Sequence, residues 1–439
     1  MKSMEQRNWG IVGGGMMGMT LAHRLSQQGH KVTLFEAASE LGGLVSPWKM
    51  NDVEWDKFYH VILLSDSRTR NILKDIGLDD KIEWVETKTG FYMNGKLYSM
   101  SDTVEFLKFP TLNLIDKFRL GLTIVVASKI KDWKRLEKTP VTVWLRRWSG
   151  KRTFNKIWLP LLRAKLGESY QRTSAVFIWA TIQRLYGARR SGLKKEMFGY
   201  VPGGYKKVIE MFKQKLLSEG VTVRTNYAAR EIRNSSSGKP SIDFGNGAPQ
   251  EFDEVIVTLP SGLAAKLCRG LSETEIQKLN NVEYLGVICL AVLLDKPLSP
   301  FYITNITDTR FPFTGVIEMS ALVDKKYLGG KSLIYLPKYV TSDDPLFNQS
   351  DDEIKSYFLD NFKKMYPWLT DDNIQFAGVA KAKHVITVAK LNYSEVLPGI
   401  KTSMPGVSII NTSHIKDGTL NVNETVRVAE TKLEEILTQ

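Results

Sequence analysis

The chain has 439 residues, 43% of them hydrophobic, which is more than one ordinary core accommodates, so two lobes are expected. Its two cysteines, Cys268 and Cys289, lie far apart and form no C-x-x-C pattern, which argues against a disulfide framework, a zinc site and a dithiol redox centre. The formal net charge is +13 at pH 7, but no nucleic-acid-binding module accompanies it, and no nucleic-acid partner is expected.

In chain order, residues 9–12 read as a strand, followed by a glycine turn, a helix over 16–28 and a second strand over 31–36. The apolar stretch 9–25 therefore belongs to a folded β-α unit rather than to a cleavable secretory signal. No apolar run approaches the roughly 20 residues needed to span a bilayer, and residues 120–128 reach about half that length. We expect a cytoplasmic protein, or one held peripherally on a membrane.

After Gly42 and Gly43 come a loop, a helix at 67–76 and strands near 82–85 and 90–98. Residues 102–190 lose strand alternation and take helical spacing, with many Trp, Leu and Ile. Between Phe106 and Gly167 stand 15 Lys and Arg against three acidic residues, so +12 of the charge sits in this one segment. Pro202-Gly203-Gly204 marks a turn, residues 205–219 an amphipathic helix ended by Gly220, and 221–224 a strand. Strands follow near 229–233, 241–244 and 254–258, with Ser235-Ser236-Ser237-Gly238 as a hairpin loop and Pro260 as a stop. Residues 282–401 alternate strands with one helix at 352–365, as a sheet-based substrate lobe would. A strand at 407–411 and a helix at 422–437 end the chain.

The spacing Gly13-x-Gly15-x-x-Gly18 falls between the first strand and the first helix. There the first glycine permits a tight turn, the second, with Gly14 beside it, lets backbone approach a pyrophosphate, and the third lets helix pack on sheet. The helix opening near Met16 and Met17 aims unpaired N–H groups and its positive end at phosphates. Glu36 closes the second strand 18 residues beyond Gly18, where a carboxylate accepts hydrogen bonds from both ribose hydroxyls and repels a 2′-phosphate. Strand, turn, helix, strand and terminal acid together specify a dinucleotide site, and leave NAD and FAD open.

Glu36 is followed by Ala37-Ala38-Ser39-Glu40-Leu41-Gly42-Gly43-Leu44. This resembles the extended fingerprint of the flavoprotein family that includes amine oxidases, protoporphyrinogen oxidases, phytoene desaturases and UDP-galactopyranose mutases. The resemblance implies an α/β (α+β overall) architecture: a Rossmann-type FAD-binding domain, a mixed-sheet substrate domain and an all-helical insertion. Residues 1–60, 198–265 and 402–439 would form the first, 61–101 and 266–401 the second, and 102–197 the basic insertion. It also implies FAD rather than NAD, with Gly42, Gly43 and Leu44 against the ribityl and flavin end, and Pro202, Gly203 and Gly204 beside the active site. The backbone near Ala229 would meet adenine, and the helix start at Asn421, Val422 and Asn423 would face the flavin pyrimidine. Two departures stand out: Asn411-Thr412-Ser413-His414 replaces the family's glycine-acid pair, and Leu44 replaces its usual basic residue. No cysteine lies near the C-terminal segment where some amine oxidases attach flavin, so non-covalent FAD is implied.

Flavin carries the electron transfer, so the protein need only orient a substrate C–H and exclude water. His60, in Phe58-Tyr59-His60, and His414 are candidate proton donors or acceptors, each with the plainer alternative of a histidine satisfied by backbone. Tyr302, Tyr335 and Tyr393 are candidate aromatic walls, with core packing as the alternative. The basic helical segment leaves three readings open: a solvated face, a surface for anionic membrane lipids helped by Trp133, Trp144, Trp148 and Trp158, or a site for a phosphorylated or acidic substrate. The leading expectation is an FAD-dependent oxidoreductase that takes hydride from a C–N or C–C bond of a small substrate, lipophilic or anionic, onto flavin N5. The alternatives are a non-redox mutase acting on a nucleotide sugar, and a non-catalytic protein like the Rab GDP-dissociation inhibitors; the retained Glu36 and glycine pairs weigh against the last.

Overall fold

The glycine turn lies at the C-terminal edge of a five-stranded parallel sheet in the computed structural model, which describes residues 5–101, 103–110, 112–187 and 196–438. The strands stand in the order Thr222–Arg224, Lys31–Phe35, Asn8–Val12, Glu254–Val257, Val407–Ile409, each parallel to its neighbours. The inner strands, covered on both faces, carry apolar runs rather than alternation, as in Val255-Ile256-Val257, whereas the edge strand Thr222–Arg224 is largely exposed. One face receives the helices Met16–Gln27, Gly204–Ser218 and Val422–Leu437, whose Met19, Phe212 and Val426 pack with Ile11, Leu34 and Ile256. The other face is covered by a small antiparallel sheet of Glu231–Asn234, Pro240–Asp243 and Gln250–Glu251, through Ile232, Ile242 and Phe252. Residues Ser235 to Gly238 connect its first two strands, as expected.

The second lobe is a seven-stranded mixed sheet in the order Ile374–Thr387, Tyr284–Leu294, Ser332–Thr341, Gly315–Glu318, Ile303–Ile306, Thr89–Met93, Lys96–Ser99. Tyr284–Leu294 is buried along its whole length because it has strand neighbours on both sides and a packed layer on both faces. The helix Asp351–Met365 seals one face through Ile354, Phe358 and Phe362. Between the lobes runs a three-stranded sheet of Ile62–Leu63, Met197–Tyr200 and Glu83–Glu86. Helices and sheets are therefore mixed throughout, in keeping with the expected fold class.

Several local expectations are corrected. The stretch after Gly43 is no loop but a 3₁₀ turn, Gly43–Val45, leading into a hairpin of Pro47–Met50 and Val53–Asp56. Asn51 turns that hairpin in a left-handed conformation, φ +56°. The strand expected from Ala229 starts at Glu231, leaving Ala229 in the preceding coil. The strand Glu254–Val257 does end before Pro260, but Pro260 also caps an unexpected helix, Ser261–Leu267, and Glu273–Asn280 follows with a Ser272/Glu275 capping box.

The basic segment is helical, running from Thr103–Lys108 through Leu114–Lys129, Lys134–Glu137, Val141–Thr153 and Leu159–Leu166 to Val176–Gly187 around its own core. Met197, the last residue expected in this insertion, already belongs to a strand. Trp144 and Trp158 are buried in the segment's core, and Trp133 and Trp148 pack against it, so the indoles are not the outward helpers that the lipid-surface reading, one of three, made them. Among the described residues no helix is long and apolar enough to cross a membrane.

One buried carboxyl makes stability pH-dependent. Glu318 lies inside the large sheet, where burial pushes it up to about 7 even though the N–H groups of Leu298 and Ser299 donate to it. A carboxyl whose folded-state value is raised holds its proton longer when folded, so stability declines as pH rises from about 4.5 to about 7. The loss is ~3 kcal/mol. In urea titrations across that window, this decline should be present in the natural protein and absent in Glu318→Gln; equal slopes would contradict the assignment.

Candidate cofactor and substrate site

The glycines of the turn divide into two groups according to what demands them. Gly13 has φ +113° and donates its N–H to Phe35 O at 2.9 Å. A Cβ at Gly14 would lie 2.5 Å from Leu41, and one at Gly18 would lie 1.9 Å from Gly13 O. Gly42, at φ +128°, donates to Gly14 O at 2.9 Å and bridges Gly15, so the second glycine pair is stitched to the first. These four positions are glycine because the protein's own backbone and packed side chains require it.

Gly15 is different, and Gly43 shares its open surroundings although its left-handed backbone also favours glycine. Gly15 has an ordinary extended conformation, φ −74°, and a Cβ there would meet nothing nearer than Gly42 O at 4.0 Å. Gly43, at φ +58°, is exposed, and its Cβ would come 3.4 Å from the Gly15 Cα. Together they line a cradle that any side chain would fill, which is what close approach of a pyrophosphate requires. Gly15 also caps Met16–Gln27 with no side-chain acceptor, leaving the N–H groups at Met16 and Met17 uncapped; the Met17 side chain itself is in the core.

Glu36 sits under this turn. Its Oε2 accepts from Gly14 N–H at 2.7 Å and its Oε1 from Ala38 N–H at 2.9 Å, so the carboxylate is oriented before any ligand arrives. The loop after Thr222–Arg224 grips the same segment, Tyr227 N–H donating to Glu36 O and Asn226 N–H to Ala38 O, both at 2.9 Å. Ala229, half-buried, follows from that loop. Leu44 is half-buried in the turn after Gly43. Thr258 is a contact that sequence reasoning missed: its hydroxyl donates to Val12 O at 3.0 Å and lies 3.3 Å from Gly13 O.

The Pro202-Gly203-Gly204 turn takes left-handed φ at both glycines, +90° and +65°. It is pinned by Asp56, whose Oδ1 accepts Tyr205 N–H at 2.8 Å and would stand 2.8 Å from a Cβ at Gly204. The hydroxyl of Tyr335 donates to the Asp56 carbonyl. His60 is half-buried beside this junction, its Nδ1 3.7 Å from Asp56 Oδ2, beyond hydrogen-bond reach, and its ring edge-on to Tyr205 at 5.2 Å.

The C-terminal departures have a structural account. Asn411 caps a 3₁₀ turn, Thr412–His414, accepting from Ser413 N–H and Oγ and donating to Leu259 O at 2.8 Å. His414 is buried there, and burial pushes its imidazole down to about 4, so it is neutral near pH 7 and does not supply a proton. Asn421 caps Val422–Leu437 by accepting Glu424 N–H, and Asn423 Oδ1 is engaged by the N–H groups of Arg68 and Thr69. Of this helix start, the Val422 and Asn423 N–H groups remain for a ligand; the Asn423 side chain does not. Tyr302, Tyr335 and Tyr393 are all buried, Tyr393 donating to Ser413 O at 2.9 Å, and so form core rather than cavity walls.

A cleft of about 780 Å³ opens between the basic helices and the large sheet. Leu166, Phe311, Phe313 and Val340 give it apolar walls, and Arg163, Arg172 and Lys338 also line it. Both guanidiniums are already engaged, Arg163 with Glu168 at 3.2 Å and Arg172 with Glu283 at 2.7 Å, while burial lowers the Lys338 ammonium. Tyr339 also lines the cleft; its hydroxyl meets that of Tyr59 at 2.7 Å, and Lys165 donates to Tyr59 at 3.3 Å and to Tyr339 at 3.2 Å. Burial, reinforced by Tyr339, holds the Tyr59 phenol protonated. The chain leaves the cofactor turn through this point: Lys57 N–H donates to Ser46 O, three residues beyond Gly43. A line of contacts thus joins the glycine cradle to the cleft, and none of Tyr59, Lys165 and Tyr339 was marked by a motif.

Residues 16–387 match the family of flavin containing amine oxidoreductases. The chain belongs to that family. It is an FAD-dependent oxidoreductase, and its two free cysteines are buried, consistent with non-covalent cofactor. It is 24% identical over 426 residues to 15-cis-phytoene desaturase of Capsicum annuum, covering 89% of this chain and 69% of that protein. Its fold is similar to that of an oxidoreductase from Methanosarcina mazei, with a TM-score of 0.76 at 18% identity over 97% of this chain and 100% of the other. It is also similar to that of reduced UDP-galactopyranose mutase, with a TM-score of 0.74 at 15% identity over 99% and 96%. Such structural likeness speaks to fold alone.

Proposed function

We propose that this oxidoreductase desaturates a C–C bond of a lipophilic substrate, a hydride leaving one carbon for the flavin and a proton leaving its neighbour for solvent. The observation that carries the reading is the cleft: Leu166, Phe311, Phe313 and Val340 give it an apolar, partly aromatic wall beside polar residues such as Gln171 and Thr307, and the guanidiniums that would bind a diphosphate are engaged by carboxylates. The sequence relatives named as phytoene desaturases support the same chemistry. When bound, FAD supplies the hydride acceptor at its N5. Gly13, Gly14, Gly15 and Met17 N–H would receive the pyrophosphate, with Gly18 packing the helix close behind them, Glu36 the ribose, the backbone at Ala229 the adenine, and Gly42, Gly43, Leu44 and the Pro202-Gly203-Gly204 turn the flavin end. The Val422 and Asn423 N–H groups would face the pyrimidine. Tyr59 and Tyr339, tied by Lys165, close the inner end of the cleft, orient the substrate and exclude water. His60 is the remaining titratable candidate beside this path.

The test is anaerobic mixing of the purified holoprotein with four substrate classes: detergent-dispersed polyenes, amines, porphyrinogens and nucleotide sugars. Bleaching of the flavin bands by a polyene, with a product two hydrogens lighter, is the expected result. Bleaching by amines alone would move the reaction to a C–N bond. Turnover of a nucleotide sugar only by pre-reduced enzyme, with no acceptor consumed, would replace the proposal by a mutase.

A further inference from the structure

The helix Leu114–Lys129 is apolar on both sides. Its inner side, with Leu120, Thr123 and Ala127, packs into the core of the basic segment. Its outer side should then be polar, as on an ordinary surface helix. Instead Leu114, Ile115 and Phe118 are 74%, 70% and 72% exposed, and Leu122 and Val125 continue the same stripe at helical spacing. Val104 and Leu107 on the preceding helix are exposed as well. Single exposed apolar residues need no explanation, but a contiguous row of this size marks a contact surface.

The charge around the row identifies the contact. Lys129 ends the stripe, Lys108 follows Leu107, and Arg147 adjoins the helix, its carbonyl accepting from Arg119 Nη2 at 3.2 Å. Lys108, Lys129, Lys131, Arg146, Arg147 and Lys151 are exposed, and among the described residues none of them pairs with a carboxylate. A second copy of this chain, docked symmetrically, would bring the same basic surface against itself, and like charges would oppose the contact. An anionic lipid surface complements both features, taking the apolar row into the acyl boundary and the Lys and Arg among headgroups. The helix has 16 residues, about 24 Å, too short to span the roughly 30 Å hydrocarbon layer but suited to lie in its plane.

We propose that the outer face of Leu114–Lys129, with its basic rim, docks this protein on an anionic lipid bilayer. The inference is independent of the reaction assigned above. The experiment is flotation of the full-length holoprotein with vesicles of phosphatidylcholine alone or mixed with phosphatidylglycerol, at low and high salt. The expected result is binding to the mixed vesicles that salt weakens without abolishing, because the apolar contribution is not screened. Ile115→Asp/Phe118→Asp should lose that binding while keeping its flavin spectrum and melting temperature, since both side chains face outward. Lys129→Glu and Arg147→Glu should each weaken it by about fivefold or more. No binding to mixed vesicles at low salt, or undiminished binding by the double aspartate variant, would overturn the proposal. So would a dimer of the natural protein, seen by light scattering, that Phe118→Asp dissolves.

Discussion

Gly15→Ala should yield a folded protein that cannot hold FAD. The backbone at Gly15 is in a region open to every residue, and the added methyl would meet no protein atom within 4 Å, so the fold should tolerate it. The methyl would instead occupy the cradle shared with Gly43. Forcing a methyl into packed contact costs up to about 3 kcal/mol, so cofactor affinity should fall by about a hundredfold. The purified variant should show native circular dichroism, no flavin absorbance, and a melting temperature that added FAD no longer raises. Gly18→Ala is the control: its methyl would stand 1.9 Å from Gly13 O, and it should fail to fold whether or not FAD is supplied. A flavin-loaded Gly15→Ala protein would remove the cradle from the site.

Glu36→Ala should be at least as damaging for a different reason. It deletes the acceptor of two backbone N–H groups, Gly14 and Ala38, and with it the group that orients the turn before a ribose can bind. Hydrogen bonds to a charged acceptor contribute about 1.5–3 kcal/mol each, so losing those made in the holoprotein should raise the FAD dissociation constant by about two orders of magnitude or more. Glu36→Gln keeps the shape but has one acceptor oxygen and an NH₂ where Oε1 and Oε2 both accept, so it should fall between the two. Titration of apoprotein followed by flavin fluorescence distinguishes the three; identical affinities would contradict the role of the carboxylate.

What could be read from the sequence was local. The spacing of Gly13, Gly15, Gly18 and Glu36 is dictated by one strand-turn-helix-strand unit, and the helix Val422–Leu437 follows from its own periodicity and its Asn421 cap. The hairpin after Gly43 escaped notice because strands of four residues give too little alternation to recognise. Tyr59 and Tyr339 lie 280 residues apart, and only the packing of the hairpin on the large sheet brings their hydroxyls together. The basic segment shows a subtler limit. Periodicity identifies its helices, but a helix with apolar residues on both sides does not announce which side meets its neighbours: the tryptophans that one of three open readings placed at a lipid surface lie inward, while Leu114, Ile115 and Phe118 carry the exposed row.

Asp56 has a bearing on how a substrate enters. This single buried residue holds the helix Gly204–Ser218 through Tyr205 N–H, the large sheet through the Tyr335 hydroxyl, and the hairpin to which it belongs. Swinging the lobes apart would break the buried hydrogen bond from the Tyr335 hydroxyl to the Asp56 carbonyl and leave that carbonyl unpaired, at a cost of about 1–3 kcal/mol, before any other contact is broken. The frame is thus clamped at its centre, and a hinge is the wrong picture for its working cycle. Access falls to the opposite rim of the cleft, where Leu159–Leu166 forms one lip and belongs to the same helical body as the exposed apolar row. A hydrophobic molecule arriving there would pass sideways from an oily phase into the protein without crossing open water.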